Sequence, residues 1–400
     1  MIPIIKMSQF GNNSRQWAEG ISKTITFIVT KDCQLACKYC YLVGKNTTER
    51  MSWEVAKAAV DYIFEHEHEF GEESVIWDFI GGEPFLEIDL IDRICDYIKL
   101  EMYKRNHRWF NSYRFSFSTN GINYDSDKVQ NFIAKNHSHI SVGITIDGTK
   151  VKHDLNRIWK GVEPERGSYE DVVKNIPLWL KQFPEASTKV TISSADIPYI
   201  KESVLHLYSL GIHHININCV FEDVWKEGDD LLFEQQLIEL ANVIIDKELY
   251  RNYSCSFFQE NIGKPLDKEQ DNQNWCGAGK MLAIDASGNF YPCTRFAQYS
   301  LRAKKARIIG NIHDGIDSNK LRPFLTLDRC TQSRPECIDC EVASGCAWCQ
   351  GENYDAADTD TIYQRAIALC KMHKARVRAN NYYWNKLFYK LKKEETKENA

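Results

Sequence analysis

Residues 23–42 read KTITFIVTKDCQLACKYCYL. The first eight are mostly β-branched or aromatic and bounded by polar residues, which predicts a short buried strand. The next ten place three cysteines, Cys33, Cys37 and Cys40, at the spacing C-x3-C-x2-C. No fourth cysteine follows until Cys95. A strand running into this loop puts the thiols at the strand's C-terminal end, where parallel α/β sheets carry their chemistry.

Outward from this stretch the same alternation repeats. SWEVAKAAVDYIFEH (52–66) carries Val55, Ala59, Ile63 and Ala56, Val60, Phe64 at spacing four, an amphipathic helix with Ser52 as its N-cap. SVIWDFIGG is the next strand, and LIDRICDYIKLEM puts Ile91, Ile94, Cys95 and Ile98 on one helical face. YRFSFSTNG, ISVGITIDG, KVTISSADI and HHININCVF complete six strands, each followed by helical or loop sequence. This pattern predicts an α/β fold with a parallel sheet and crossover helices. Six strands are fewer than a closed barrel needs, so the expectation is an open (β/α)6 partial TIM barrel. Gly81–Glu83, Thr119–Gly121 and Asp147–Gly148 all fall at strand ends. His66 and His68 read as solvated, the pair His213–His214 as a turn, Cys95 as core and Cys219 as a structural thiol. Cys255 has no reading.

The totals fit an enzyme-sized globular chain. It has 400 residues, 43% apolar, and a net charge of −5. That balance excludes a general nucleic-acid binder and a polybasic membrane surface. MIPIIKMSQF is too short an apolar run for a signal peptide, and no later run is long enough to span a membrane, so the expected location is cytoplasmic. Fourteen cysteines in such a chain point to metal binding or thiol chemistry rather than disulfides. Eight of them lie from Cys276 to Cys370. The expected division is an extension over 1–22, a core over 23–225, a bridge over 226–270, a cysteine-rich domain over 271–375 and a C-terminal helix and tail over 376–400. The 22 residues before the first strand are too few for a separate winged-helix recognition domain.

Three clustered thiols can hold a [4Fe–4S] cube with one iron open to a small molecule. A zinc site completed by a distant ligand is the competing reading, although the loop has no histidine. The spacing, with Tyr39 inside it and Tyr41 directly after it, resembles the radical S-adenosylmethionine (SAM) superfamily. That resemblance implies that Cys33, Cys37 and Cys40 ligate the SAM-binding cluster, which cleaves SAM to a 5′-deoxyadenosyl radical. GGEP (81–84) is similar to the turn that holds the methionine amino group, giving Gly81, Gly82 and Glu83. STNG (118–121) and TIDG (145–148) resemble further SAM-contacting strand ends, giving Ser118, Thr119, Asn120 and Asp147. Arg157 corresponds to an arginine facing the SAM carboxylate.

CGAGKMLAIDASGNFYPC gives C-x11-G-x4-C, followed by Cys337, Cys340, Cys346, Cys349 and Cys370. This is similar to the SPASM domain, which carries two auxiliary [4Fe–4S] clusters, for three in all. The resemblance assigns Cys276, Cys293 and Cys349 to the nearer cluster. It assigns Cys337, Cys340, Cys346 and Cys370 to the farther one. The spacing from Cys346 to Cys349 is one residue short of the family pattern. The nearer cluster's fourth iron takes Cys330, another group, or a substrate thiolate. Two zinc knuckles in a peptide-binding module are the alternative.

Together these stretches resemble radical SAM/SPASM peptide maturases, most closely the thioether-forming sactipeptide and ranthipeptide synthases acting on CXXX-repeat precursors. The implied partners are a cysteine-rich precursor peptide, docking on the barrel, the bridge or a separate protein, and an external reductant such as flavodoxin or ferredoxin. Neither nucleic acid nor a membrane is implied. The nearest enzymatic alternative is an anaerobic sulfatase-maturing enzyme, in which an aspartate base follows the second SPASM cysteine. Thr294 stands at that position here.

Overall fold

The computed structural model describes residues 22–45, 47–267 and 276–398. The expected N-terminal extension falls outside them apart from Ser22. The six anticipated strands form: β1 (Ser22–Thr30), β2 (Ser74–Gly81), β3 (Tyr113–Thr119), β4 (Ile140–Ile144), β5 (Ser187–Ile192) and β6 (His214–Cys219). Five short ones follow: β7 (Ser254–Cys255), β8 (Leu282–Ile284), β9 (Asn289–Tyr291), β10 (Gly310–Asn311) and β11 (Gly315–Ile316). The chain divides into two compact units.

The first unit comprises Met1–Ile146, Asp154–Ser187 and Cys276–Leu327. Its sheet runs β11-β10-β9-β8-β1-β2-β3-β4. β1 to β4 pair in parallel, with crossover helices α1 (Trp53–Glu65), α2 (Ile88–Lys104) and α3 (Asp127–Asn136). Ser52 caps α1 by accepting from the Val55 amide at 3.2 Å. Ile91, Ile94, Cys95 and Ile98 are fully buried, as the helical spacing requires.

Side chains alternate across a strand. One face carries Phe27, Phe79 and Phe117, whose rings follow one another at 5.6 and 5.3 Å, and Phe117 meets Phe132 of α3. The opposite face carries Thr26, Asp78 and Ser116, register partners on three adjacent strands. The row is tied together by hydrogen bonds from Ser116 and Thr26 to the Asp78 carboxylate.

On its other edge β1 pairs in parallel with β8, and β8 and β9 form an antiparallel hairpin. The glycine of the C-x11-G-x4-C pattern makes that hairpin possible. Gly288 has φ +78°, and a Cβ there would meet Ile312 at 2.7 Å. Asp285 fixes the turn by accepting from the amides of Ser287 and Asn289, both at 2.9 Å.

The second unit comprises Asp147–His153, Thr188–Trp275 and Asp328–Ala400. Its three-stranded sheet is ordered β5-β6-β7. Helix α4 (Ile200–Ser209) leads into β6. The bridge is largely one helix, α5 (Asp229–Asp246), which buries Phe233, Leu237, Leu240 and Ile244. It packs along α6 (Cys370–Glu398), with Glu234 paired to Arg378 at 2.6 Å. His214 departs from the turn expected of it. It lies in β6, is 3% exposed, and hydrogen-bonds the Ser254 hydroxyl at 2.8 Å. Cys255 is buried on β7 beside Ile215. Among the described residues no helix is long and apolar enough to cross a membrane.

Candidate functional site

The three-cysteine loop is held from three directions within the first unit. The end of β2 closes on its beginning: the Gly82 amide donates to the Thr30 carbonyl at 3.0 Å and the Glu83 amide to the Asp32 carbonyl at 2.8 Å. A Cβ at Gly82 would lie 2.2 Å from the Asp32 carbonyl oxygen and 2.9 Å from Cys33 Cβ. The glycine is therefore needed for contact with the protein's own loop. The middle of the loop is laced to residues 156–160. Ala36 donates to the Ile158 carbonyl at 2.8 Å, Lys38 to Asn156 at 3.0 Å, and Lys160 to Gln34 at 2.8 Å. The far end packs on the hairpin. Cys40 and Tyr41 lie against a cluster that includes Leu42, Ala283, Tyr291 and Tyr299.

Glu83 is 1% exposed and accepts three hydrogen bonds. They come from the Thr119 hydroxyl at 2.6 Å, the Asn120 amide at 2.7 Å and the Phe85 amide at 3.1 Å. A carboxylate has about four lone-pair sites, so roughly one remains for a ligand. Burial raises its pKa, and these bonds and the Arg157 charge oppose the rise. Asn120 turns its side chain back to the loop, donating to Gln34 Oε1 at 3.0 Å and lying 3.8 Å from Cys33 Sγ. Arg157 is 6% exposed and donates to the Tyr39 hydroxyl at 3.0 Å. Burial, then the nearby Glu83 carboxylate, push the Cys33 thiol up to about 12.

Residues 27–216 match the family model of the Radical SAM superfamily. This stretch is a radical SAM domain.

A radical SAM domain implies SAM and a [4Fe–4S] cluster, and the loop fits them: three cysteines, a buried carboxylate and a buried arginine meet at the C-terminal ends of β1 to β3. The chain is 23% identical over 349 residues to the serine-type anaerobic sulfatase-maturating enzyme of Bacteroides thetaiotaomicron, covering 78% of each. Its fold matches native anSMEcpe with bound AdoMet at a TM-score of 0.67, at 18% identity, over 92% of this chain and 98% of that one. Streptococcus suis SuiB bound to precursor peptide SuiA matches at 0.57, at 15% identity, over 89% and 79%.

Not every expected contact joins the loop. Gly82, Glu83, Thr119, Asn120 and Arg157 belong to the set just described, and Gly81 adjoins it as the register partner of Thr30. Ser118 is exposed, on the same sheet face as Asp78. Asp147 belongs to the second unit and is wholly buried. Its carboxylate faces Lys152 at 3.9 Å and accepts from the Thr191 amide at 3.2 Å, and Lys152 also faces Asp196 at 3.6 Å. That is an internal ion network.

The radical SAM domain also holds groups that side-chain patterns missed. Asp78 sits in an apolar-looking strand, and burial pushes its pKa up to about 6 despite hydrogen bonds from Ser116 and Thr26. From within the domain, Tyr41 of the loop reaches residues outside it, hydrogen-bonding Thr294 and lying under Arg295, whose guanidinium carbon is 4.8 Å from the ring centre.

The remaining cysteines divide between the units. Cys276 and Cys293 flank the hairpin in the first, both half-buried. In the second, Cys337, Cys340, Cys346 and Cys370 line one cavity of about 530 Å³, with Cys370 as the first residue of α6. Cys349 directly precedes a short helix, Gln350–Asp355, and Cys330 is exposed on the one-turn helix Arg329–Gln332. Neither lines that cavity. Among the described residues no three His, Cys, Asp or Glu groups converge as a single ion requires. A cube spreads its thiolates over four irons, so a shared cavity is the arrangement it fits.

Proposed function

We propose that this chain is a radical SAM enzyme that forms thioether bonds from cysteine sulfur to carbon in a cysteine-rich precursor peptide. The observation that carries the reading is the grouping of its thiols: three on a clamped loop in the radical SAM domain, four around a separate cavity. The likeness to SuiB, solved with a precursor peptide, supports a peptide substrate. When bound, SAM and its cluster would supply a 5′-deoxyadenosyl radical that takes a hydrogen atom from substrate carbon, and auxiliary clusters would accept the surplus electron. The chain's own residues position the chemistry. Glu83 locks the ends of β2 and β3 together, and Asn120 fixes Gln34 beside Cys33. Arg157 offers positive charge for a carboxylate. Ser118, exposed on the same sheet face as Asp78, offers a hydroxyl to a peptide. An external low-potential donor, of the flavodoxin or ferredoxin type, completes the cycle.

A second reading, sulfatase maturation, is favoured by the Bacteroides relative. Thr294 weighs against it, because a hydroxyl engaged with Tyr41 is no general base near neutral pH.

The test is coexpression with a cysteine-rich precursor encoded nearby, read by mass spectrometry. Each thioether removes a pair of hydrogens and one alkylatable thiol. Replacing Cys33, Cys37 and Cys40 together with alanine should abolish both product and dithionite-driven 5′-deoxyadenosine. An unmodified peptide alongside active SAM cleavage would sink the thioether reading, and retained cleavage in the triple variant would sink the cluster assignment.

A further inference from the structure

Arg365 is 8% exposed and lines the cavity shared by Cys337, Cys340, Cys346 and Cys370. Its Nη2 donates to Cys346 Sγ and to the Ala347 carbonyl, both at 3.3 Å. Its Nη1 donates to the Ser333 hydroxyl at 3.3 Å, and its guanidinium carbon lies 5.3 Å from the Trp348 ring centre. Among the described residues it forms no salt bridge to a carboxylate. Glu336, on the cavity rim, is exposed. A buried guanidinium without a counter-charge is costly. This one is aimed at sulfur, and its field acts on both Cys337 and Cys346.

Four thiolates around a cube leave it net negative, and an added electron makes it more so. A fixed cation and an N–H bond to a ligand sulfur both favour the reduced form. The loop of Cys33 has the opposite neighbour, the buried Glu83 carboxylate. Resting on the reading of the four cavity cysteines as ligands, we propose that Arg365 raises the reduction potential of the cluster they hold, making it an electron sink. The step is one-electron reduction of the cluster with no proton taken up. In turnover the electron is the surplus one released when sulfur bonds to carbon, and in the test it comes from dithionite.

The experiment is a potentiometric titration of the anaerobically reconstituted holoprotein, followed by electron paramagnetic resonance. The relevant signal is the one missing from Cys346→Ala. Arg365→Gln, which removes the charge, is expected to keep the wild-type iron content and shift the reduction equilibrium at least tenfold toward the oxidised form, about 59 mV for one electron. Arg365→Lys, which keeps the charge, should stay within about threefold of wild type. Loss of this cluster from the glutamine variant alone, with lysine at the wild-type midpoint, also supports a charge role. A glutamine variant with full iron and an unchanged midpoint overturns the proposal. So does loss of the cluster from both variants, which assigns Arg365 to packing. If the wild-type protein has no signal that Cys346→Ala removes, the ligand reading itself has failed, whatever the SAM-cleaving activity shows.

Discussion

The Thr119 hydroxyl donates to Glu83 at 2.6 Å, so the last residue of β3 is bound to the first residue beyond the Gly81–Gly82 turn. Glu83→Gln replaces one acceptor oxygen with a donor while three donors still face the side chain. One of them must lose its partner, at a cost of about 1–3 kcal/mol. The expected result is a loss of unfolding free energy of that size, read as a lower urea midpoint, and at least a tenfold fall in 5′-deoxyadenosine. A variant with wild-type values of both would show that the carboxylate does not order this site.

Gly82→Ala forces a methyl against the Asp32 carbonyl and Cys33 Cβ. Neither neighbour is a flexible side-chain end, so the start of the loop must shift. The variant is expected to lose about four irons, one cube's worth, and keep the rest. Iron analysis after anaerobic reconstitution reads this directly, and full iron with normal SAM cleavage would contradict it.

Asp78 governs a pH window. Its folded pKa of about 6 lies above the ordinary 3.8 because burial disfavours the charge. Its protonated form therefore stabilises the fold fully below about pH 4, and that contribution fades as pH rises through 6. Asp78→Asn should flatten stability over this interval and stabilise the protein at pH 7 by about 1–3 kcal/mol. Urea unfolding at several pH values measures it; parallel profiles for the two proteins would refute the assignment.

Cys330 is exposed and outside the four-cysteine cavity. Cys330→Ala is expected to keep its iron, near 12 atoms per chain for three cubes, and its product. Loss of about four irons together with product would make Cys330 a ligand.

How much of this was legible in the sequence follows from what kind of signal each part leaves. The six long strands were readable because apolar and β-branched runs such as TITFIVT and SVIWDFI carry their own period. The cysteine loop was readable because thiol spacing reflects metal geometry. What holds that loop was not. Residues 156–160 bind it through backbone amides and carbonyls, which no side-chain pattern encodes. β8 and β9 are three residues each, too short for alternation to register. Asp78 was hidden because one polar residue in an apolar run looks like noise until the register sets Thr26 and Ser116 beside it. His214 looked like a turn because histidine carries little strand preference; burial against Ser254 decided it.

The pairing of Ile25 with Leu282 has a consequence for synthesis. β1 leaves the ribosome before the rest of its sheet, and the neighbour that covers its outer edge is made more than 250 residues later. Until then the row of open amides and carbonyls along Ile25 to Phe27 is a template for the wrong strand. A chain stopped at residue 225 contains the whole six-stranded core as the sequence delimits it, but leaves that edge bare. Such a fragment should aggregate where the full chain folds, and slow translation between the two segments should lengthen its dependence on chaperones.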